Sequence, residues 1–236
     1  STQHLPKKIN GIFINDGKIV LQKDGVQKDI LTIHNFEKKW GRHNLENLLA
    51  SILAVTLYDP KTRITQKIVQ TLTEIPLRQE TIYKNKYLTV INDSASTSPD
   101  ALISALRRFG KYPNTVFICG GTSKKLPFNE AAKAIKQTIH PKDLIFLSGS
   151  ATDDLLAELK KIHYFDKKPQ IFETLNNCVT LALKITGGTP GTIIFSPGAA
   201  SFEKFKNEFD RGEQFNLLIQ QLLKNRSLQR RSQGNT

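Results

Sequence analysis

Four short segments of this chain gather residue types that can hold an anionic small molecule. NDSASTS (92–98) crowds Asp93, Ser94, Ser96, Thr97 and Ser98 at the start of an expected helix. Ser, Thr and Asp are the favoured helix N-caps. Five such groups exceed what one cap requires, which leaves ligand binding open beside capping: Asp93 can accept from a ribose hydroxyl or hold a water, and Thr97 can donate to a carboxylate. GGTSKK (120–125) combines two glycines, which allow close backbone approach, with the cations Lys124 and Lys125. It reads equally as a glycine turn beside solvated lysines. SPGAAS (196–201) leaves room for a ligand and puts Ser201 at an expected helix start, where outward N–H groups suit a carboxylate or phosphate. GRHNLEN (41–47) sets Asn44 and Asn47 three residues apart on one helix face.

Other chemistries lack their residues. The phosphate-loop spacing G-x-x-x-x-G-K-[ST] and the nucleophile elbow G-x-S-x-G are absent from the 236 residues. A lone histidine such as His43 is more often a packed polar residue than a ligand, so no metal site is expected. Cys119 and Cys178, the two cysteines, sit in apolar runs and read as reduced core residues of a cytoplasmic protein.

The elements that position these segments follow from hydrophobic patterning. In the first forty residues Asp16-Gly17 and Asp24-Gly25 bracket IVLQ, which predicts hairpins with strands near 11–15, 18–22 and 27–33. A helix is expected from about His43 to the stop at Asp59-Pro60, and a second over about 62–72. From residue 86 a β-α alternation sets in. The strands are YLTVIND (87–93), TVFICGG (115–121), DLIFLSG (143–149), PQIFET and TIIFSPG (192–198). The helices between and after them fall at about 98–109, 128–138, 152–162, 175–186 and 202–223. Apolar strands alternating with helices predict an α/β fold with a parallel sheet covered on both faces. Ligands of such sheets sit beyond the carboxyl ends of the strands, where 92–97, 120–125, 148–152 and 196–202 fall. Phe202, Phe205 and Phe209 recur at helical spacing and read as a core stripe.

Taken in order, GRHNLEN, IPLRQE, INDSASTS, GGTSKK and FSPGAASFEKFKNEFDRGEQF resemble the Mur ligases, and within them the branch that adds D-glutamate to UDP-N-acetylmuramoyl-L-alanine in peptidoglycan synthesis. The resemblance implies that 1–85 is the end of a P-loop-type central ATPase domain. It makes 86–223 a Rossmann-like C-terminal domain that binds the amino acid; the polar, acid-free composition of 224–236 reads as a basic disordered tail. It implies ATP and Mg2+ as cofactors, an acyl-phosphate intermediate, small-molecule substrates and a cytoplasmic monomer. Asn44, Asn47, Arg78 and Asp93 match nucleotide-binding positions; Thr97, Lys124, Ser201 and Phe202 match positions that hold D-glutamate. The catalytic groups and metal ligands are expected upstream of Ser1. Three positions depart from the family pattern: Leu77 where histidine is usual, Ala95 where lysine is usual, and Glu208-Phe209 in reversed order.

The formal net charge is +13, and the chain has no methionine, which points to a piece of something longer. Lys224, Arg226, Arg230 and Arg231 contribute to the charge near the C-terminus without a neighbouring acid. No aromatic-interleaved basic stripe, zinc-finger spacing or recognition-helix signature accompanies it, which disfavours nucleic acid as partner. No apolar run approaches the roughly 18–20 residues a membrane span needs. Two other readings stay open: a folylpolyglutamate-type or other Mur amide ligase, and a non-enzymatic basic module for nucleic acid.

Overall fold

The protein is described from a computed structural model, which describes residues 5–6, 8–41, 43–187 and 189–233. It consists of two units, one ending at Thr73 and the other beginning at Glu74. In the first, β1 (Gly11–Asn15), β2 (Lys18–Lys23) and β3 (Val26–Thr32) form an antiparallel meander. Its two turns need positive φ at both central positions, and Asp16-Gly17 and Asp24-Gly25 supply it. Helices α1 (His34–Trp40), α2 (His43–Tyr58) and α3 (Gln66–Gln70) follow. Ile12, Ile19 and Leu31 from the sheet pack against Leu45, Leu49, Ile52 and Val69 in one buried cluster. The third helix is shorter than the pattern predicts because Thr65 caps it, accepting from the Ile68 N–H.

The second unit carries the alternation. Its elements are β4 (Glu80–Lys84), β5 (Leu88–Asn92), α4 (Pro99–Phe109), β6 (Thr115–Cys119), α5 (Asn129–Thr138), β7 (Leu144–Leu147), α6 (Ser150–Lys161), β8 (Gln170–Phe172), α7 (Leu175–Ile185), β9 (Gly191–Phe195) and α8 (Glu208–Gln233). The six strands form one sheet in the order β4-β5-β9-β6-β7-β8, with only β4 antiparallel to its neighbour. Successive strand residues bury on opposite faces. Ile91, Phe117, Phe146 and Ile194 pack with α4, α5 and α6, whereas Val90, Ile118, Ile145, Ile193 and Phe195 pack with α7 and α8. This double burial explains why each strand is a short, uninterrupted apolar run.

The structure moves three expected boundaries. The unit boundary lies before β4 and not at 85/86, because β4 pairs with β5 and takes the turn bearing Arg78 with it. The last helix starts at Glu208 and not near 202: the Asn207 side chain accepts from the Phe209 and Asp210 N–H groups and caps the helix there. Phe202, Phe205 and Phe209 therefore do not share a helix face; Phe202 and Phe209 are 67% and 56% exposed, and only Phe205 packs on the core. That helix continues to Gln233, where the sequence predicts a disordered tail from 224. No glycine or proline interrupts 224–233, so nothing in the chain stops it. Residues 234–236 lie outside the described residues.

Candidate functional site

The sheet's strand order creates a crevice. The chain leaves β5 and β6 toward α4 and α5 on one face, and leaves β9, which lies between them, toward α8 on the other. Diverging exits at neighbouring strand ends open a cleft at the carboxyl edge, the usual ligand position in such sheets. The loops after β5, β6 and β9 carry Asp93 and Thr97, then Lys124, then Ser201 and Phe202.

Backbone bonds lock two of these loops together. Gly120 N–H donates to Pro197 O at 2.9 Å, and Thr122 and Ala200 exchange N–H···O bonds of 2.9 and 3.0 Å. Lys124, two residues beyond that bridge, donates from Nζ to Thr97 Oγ1 at 3.0 Å. Two residues read independently from the sequence as ligand-binding thus meet. Ser201, next to the bridge, is 3% exposed, and its hydroxyl has no hydrogen-bond partner in the structure. Phe202 stands exposed beside it.

The anion seat expected at a helix start beside Ser201 is not there, since the helix begins at Glu208. Among the helix N-termini at this edge, that of α6 is occupied by the protein's own Glu203. The Glu203 carboxylate accepts from the Ser150 N–H at 3.1 Å and from the Ser150 hydroxyl, while its own N–H donates to Thr122 Oγ1 at 2.9 Å.

Asp93 is 3% exposed, at the end of β5. Its carboxylate accepts from Gln79 N–H at 3.1 Å and from the Ser196 hydroxyl at 2.7 Å. Burial pushes the Asp93 carboxyl up to about 7, against the opposing pull of those two hydrogen bonds and of the Arg78 and Arg108 charges. Arg78 itself is exposed. The turn before β4 is held by Ala95 N–H donating to Leu77 O at 2.9 Å. Leu77 is buried, so close to Gly212 that a Cβ there would meet both its methyls at 2.8 Å. An apolar side chain suits that place, which accounts for the missing histidine in packing terms. Ser98 caps α4 through a 3.4 Å bond from Ala101 N–H, so one of the five hydroxyl or carboxylate groups of 92–98 is a cap.

Arg211 was not legible as a functional position. It is 0% exposed and makes four hydrogen bonds: Nε to Ser94 Oγ, Nη2 to Ser94 O, and Nη1 to Ala199 O and Ala200 O, at 2.8–3.1 Å. Burial lowers this guanidinium to about 10, so it remains charged at neutral pH. An arginine in the helix pattern reads as a solvated residue unless its burial is known. The R-G pair in FDRG is the only sequence signal.

Asn44 and Asn47 sit on the first turns of α2 in the first unit. Asn44 Nδ2 donates to Trp40 O at 2.8 Å, and Asn47 Nδ2 donates to Asn44 Oδ1 at 3.1 Å. The shared face is as predicted. Among the described residues, no group of three or more His, Cys, Asp or Glu side chains could hold a metal ion, and no helix is long and apolar enough to cross a membrane.

No protein-family model matches the chain. Individual proteins do. The UDP-N-acetylmuramoylalanine--D-glutamate ligase of Desulfitobacterium hafniense is 33% identical over 216 residues, covering 89% of this chain and 44% of that protein. The same-named enzyme of Roseiflexus sp. (strain RS-1) is 33% identical over 181 residues, covering 76% of this chain and 38% of its own length. The chain belongs to the Mur ligase family. It spans less than half the length of these Mur ligase relatives. Solved structures agree at the level of fold. Mycobacterium tuberculosis folylpolyglutamate synthase complexed with ADP and AMPPCP matches 88% of this chain and 46% of its own, with a TM-score of 0.56 at 15% identity. MurF from Acinetobacter baumannii matches 91% and 45%, with a TM-score of 0.50 at 11% identity.

Proposed function

We propose that the second unit is the amino-acid-binding part of an ATP-dependent Mur ligase, holding D-glutamate for addition to UDP-N-acetylmuramoyl-L-alanine, and that the chain serves as the C-terminal portion of that cytoplasmic enzyme. The observation that carries this reading is the Lys124–Thr97 contact at the crevice mouth, beside the buried, unpartnered hydroxyl of Ser201. A cation, a donor hydroxyl and an unsatisfied hydroxyl at one strand-end cleft match a small dicarboxylate amino acid. The relatives' shared name supports D-glutamate over other amino acids.

In this reading Lys124 pairs with one ligand carboxylate while Thr97 and Ser201 fix its orientation, with Phe202 covering the entrance. Holding the amine at a fixed place lowers the entropic part of the barrier to its attack on an activated acyl group. ATP, when bound, would supply that activation. Asp93 and Arg78 are assigned nucleotide-binding roles on the second unit, and Asn44 and Asn47 on the first. Burial raises the Asp93 carboxyl to about 7, so its proton is held more tightly than in an ordinary carboxylate. The described residues offer no Mg2+ cluster, so no step is assigned to the metal.

Lys124→Ala tests the assignment. A charge-assisted bond from an exposed lysine is worth the low end of its range, so D-glutamate affinity should fall about tenfold, with thermal stability unchanged. Calorimetric titration of both forms of the chain reads it. Equal affinity would remove Lys124 from the site.

A further inference from the structure

A buried guanidinium with no carboxylate hydrogen-bonded to it is costly, and one is retained at Arg211: all four of its hydrogen-bond acceptors are neutral, and the Glu208 and Asp93 charges act on it without bonding to it. Those acceptors belong to two loops far apart in sequence. Ser94 lies after β5, Ala199 and Ala200 lie after β9, and a Cβ at Gly121, after β6, would stand 3.4 Å from Nη1. Arg211 therefore lies under all three loops that line the crevice.

The fork also fixes direction. In a planar trans peptide unit the N–H points opposite to the C=O. Two of the clamped units show the consequence. With Ala199 O on the guanidinium, the Ala200 N–H turns the other way and meets Thr122 O at 3.0 Å. With Ser94 O on the guanidinium, the Ala95 N–H turns away and meets Leu77 O at 2.9 Å. The third unit has its carbonyl, Ala200 O, on Nη1 at 3.0 Å, so the N–H of Ser201 is likewise turned away from Arg211. Ser201, like Ser96 in the loop after β5, has a buried hydroxyl without a hydrogen-bond partner among the described residues.

We propose that Arg211 is the positioning residue of the amino-acid site: by drawing the carbonyls of Ser94, Ala199 and Ala200 inward, it sets the placement of Thr97 and the presentation of the Ser201 amide and hydroxyl to the ligand carboxylate. This rests on the reading of the crevice as the D-glutamate site. Lysine keeps the charge but is a point donor without the planar fork, so it cannot span both loops. A misplacement of about 1 Å in such a site costs up to about a hundredfold, and a tenfold loss is the expected scale here.

The experiment compares the 15N-labelled chain with Arg211→Lys and with Leu183→Ala, a truncation in the core under α7 that lowers thermal stability without touching these loops. D-glutamate affinity is read from amide shifts, and amide hydrogen exchange is read at 94–97 and 199–202 against Val90, Ile118 and Ile193. Arg211→Lys should weaken D-glutamate about tenfold and speed exchange in both loops together, while Leu183→Ala leaves affinity within about twofold. Unchanged affinity in Arg211→Lys, or an equal loss in Leu183→Ala, would overturn the proposal. If the unaltered chain ignores D-glutamate, the amino-acid reading fails, and the proposal falls with it. Exchange then separately decides the clamp, which is wrong if the two loops do not loosen together. Should the lysine variant not fold, Ser94→Ala removes one acceptor and is read the same way, with an expected loss of about threefold.

Discussion

Gly120→Ala is expected to destabilise the second unit by about 4 kcal/mol or more and to abolish ligand binding. Gly120 holds φ at 105°, a conformation that L side chains rarely adopt. A Cβ built there would press on Thr152 Oγ1 and Leu147 O, well inside van der Waals contact. Neither neighbour can yield cheaply. Leu147 O is backbone at the end of β7, and the buried Thr152 hydroxyl bridges Leu147 O to the Gly121 N–H. Displacing it breaks both bonds and shifts the 120–125 loop that carries Lys124. Calorimetric melting of the variant reads the loss; a melting temperature within a few degrees of the parent would contradict the packing described.

Asp93→Asn should change how stability depends on pH. Its folded value of about 7 stands above the ordinary 3.8, so the folded state holds this proton more tightly than the unfolded chain. The stabilisation is fully present below about pH 4 and is lost as pH rises through about 7, amounting to about 4 kcal/mol above neutrality. Asparagine does not titrate, and it can still accept from Gln79 N–H and donate to Ser196 Oγ. The variant should therefore gain on the parent steadily between pH 4 and 7. Melting both forms across that window checks it. A difference independent of pH would show that Asp93 is ionised and compensated in the folded state.

The β-α alternation was readable because each doubly buried strand is an apolar run ending in small residues, as at TVFICGG and TIIFSPG. The crevice was readable for the same reason: the rule that ligands lie beyond strand ends selects the loops of Thr97, Lys124 and Ser201 without coordinates. Strand β4 was missed because ETIYK is half-buried along almost its whole length, with no alternation and no apolar run to mark it. The start of α8 was misplaced because the spacing of Phe202, Phe205 and Phe209 imitates a helix face. Asn207, the residue that sets the start, carried a cap signature three residues ahead of Asp210. The burial of Asp93 and Arg211 arises only when loops distant in sequence close over them, so residue type alone does not show it.

The central claim is that the crevice at the ends of β5, β9 and β6 selects D-glutamate. Titrating the 15N-labelled chain with D-glutamate and then with L-glutamate tests it most directly. Saturable shifts are expected at Thr97, Lys124, Ser201 and Phe202 with the D-isomer and markedly weaker ones with the L-isomer. Equal responses to both isomers, or shifts confined to residues away from these loops, would contradict it.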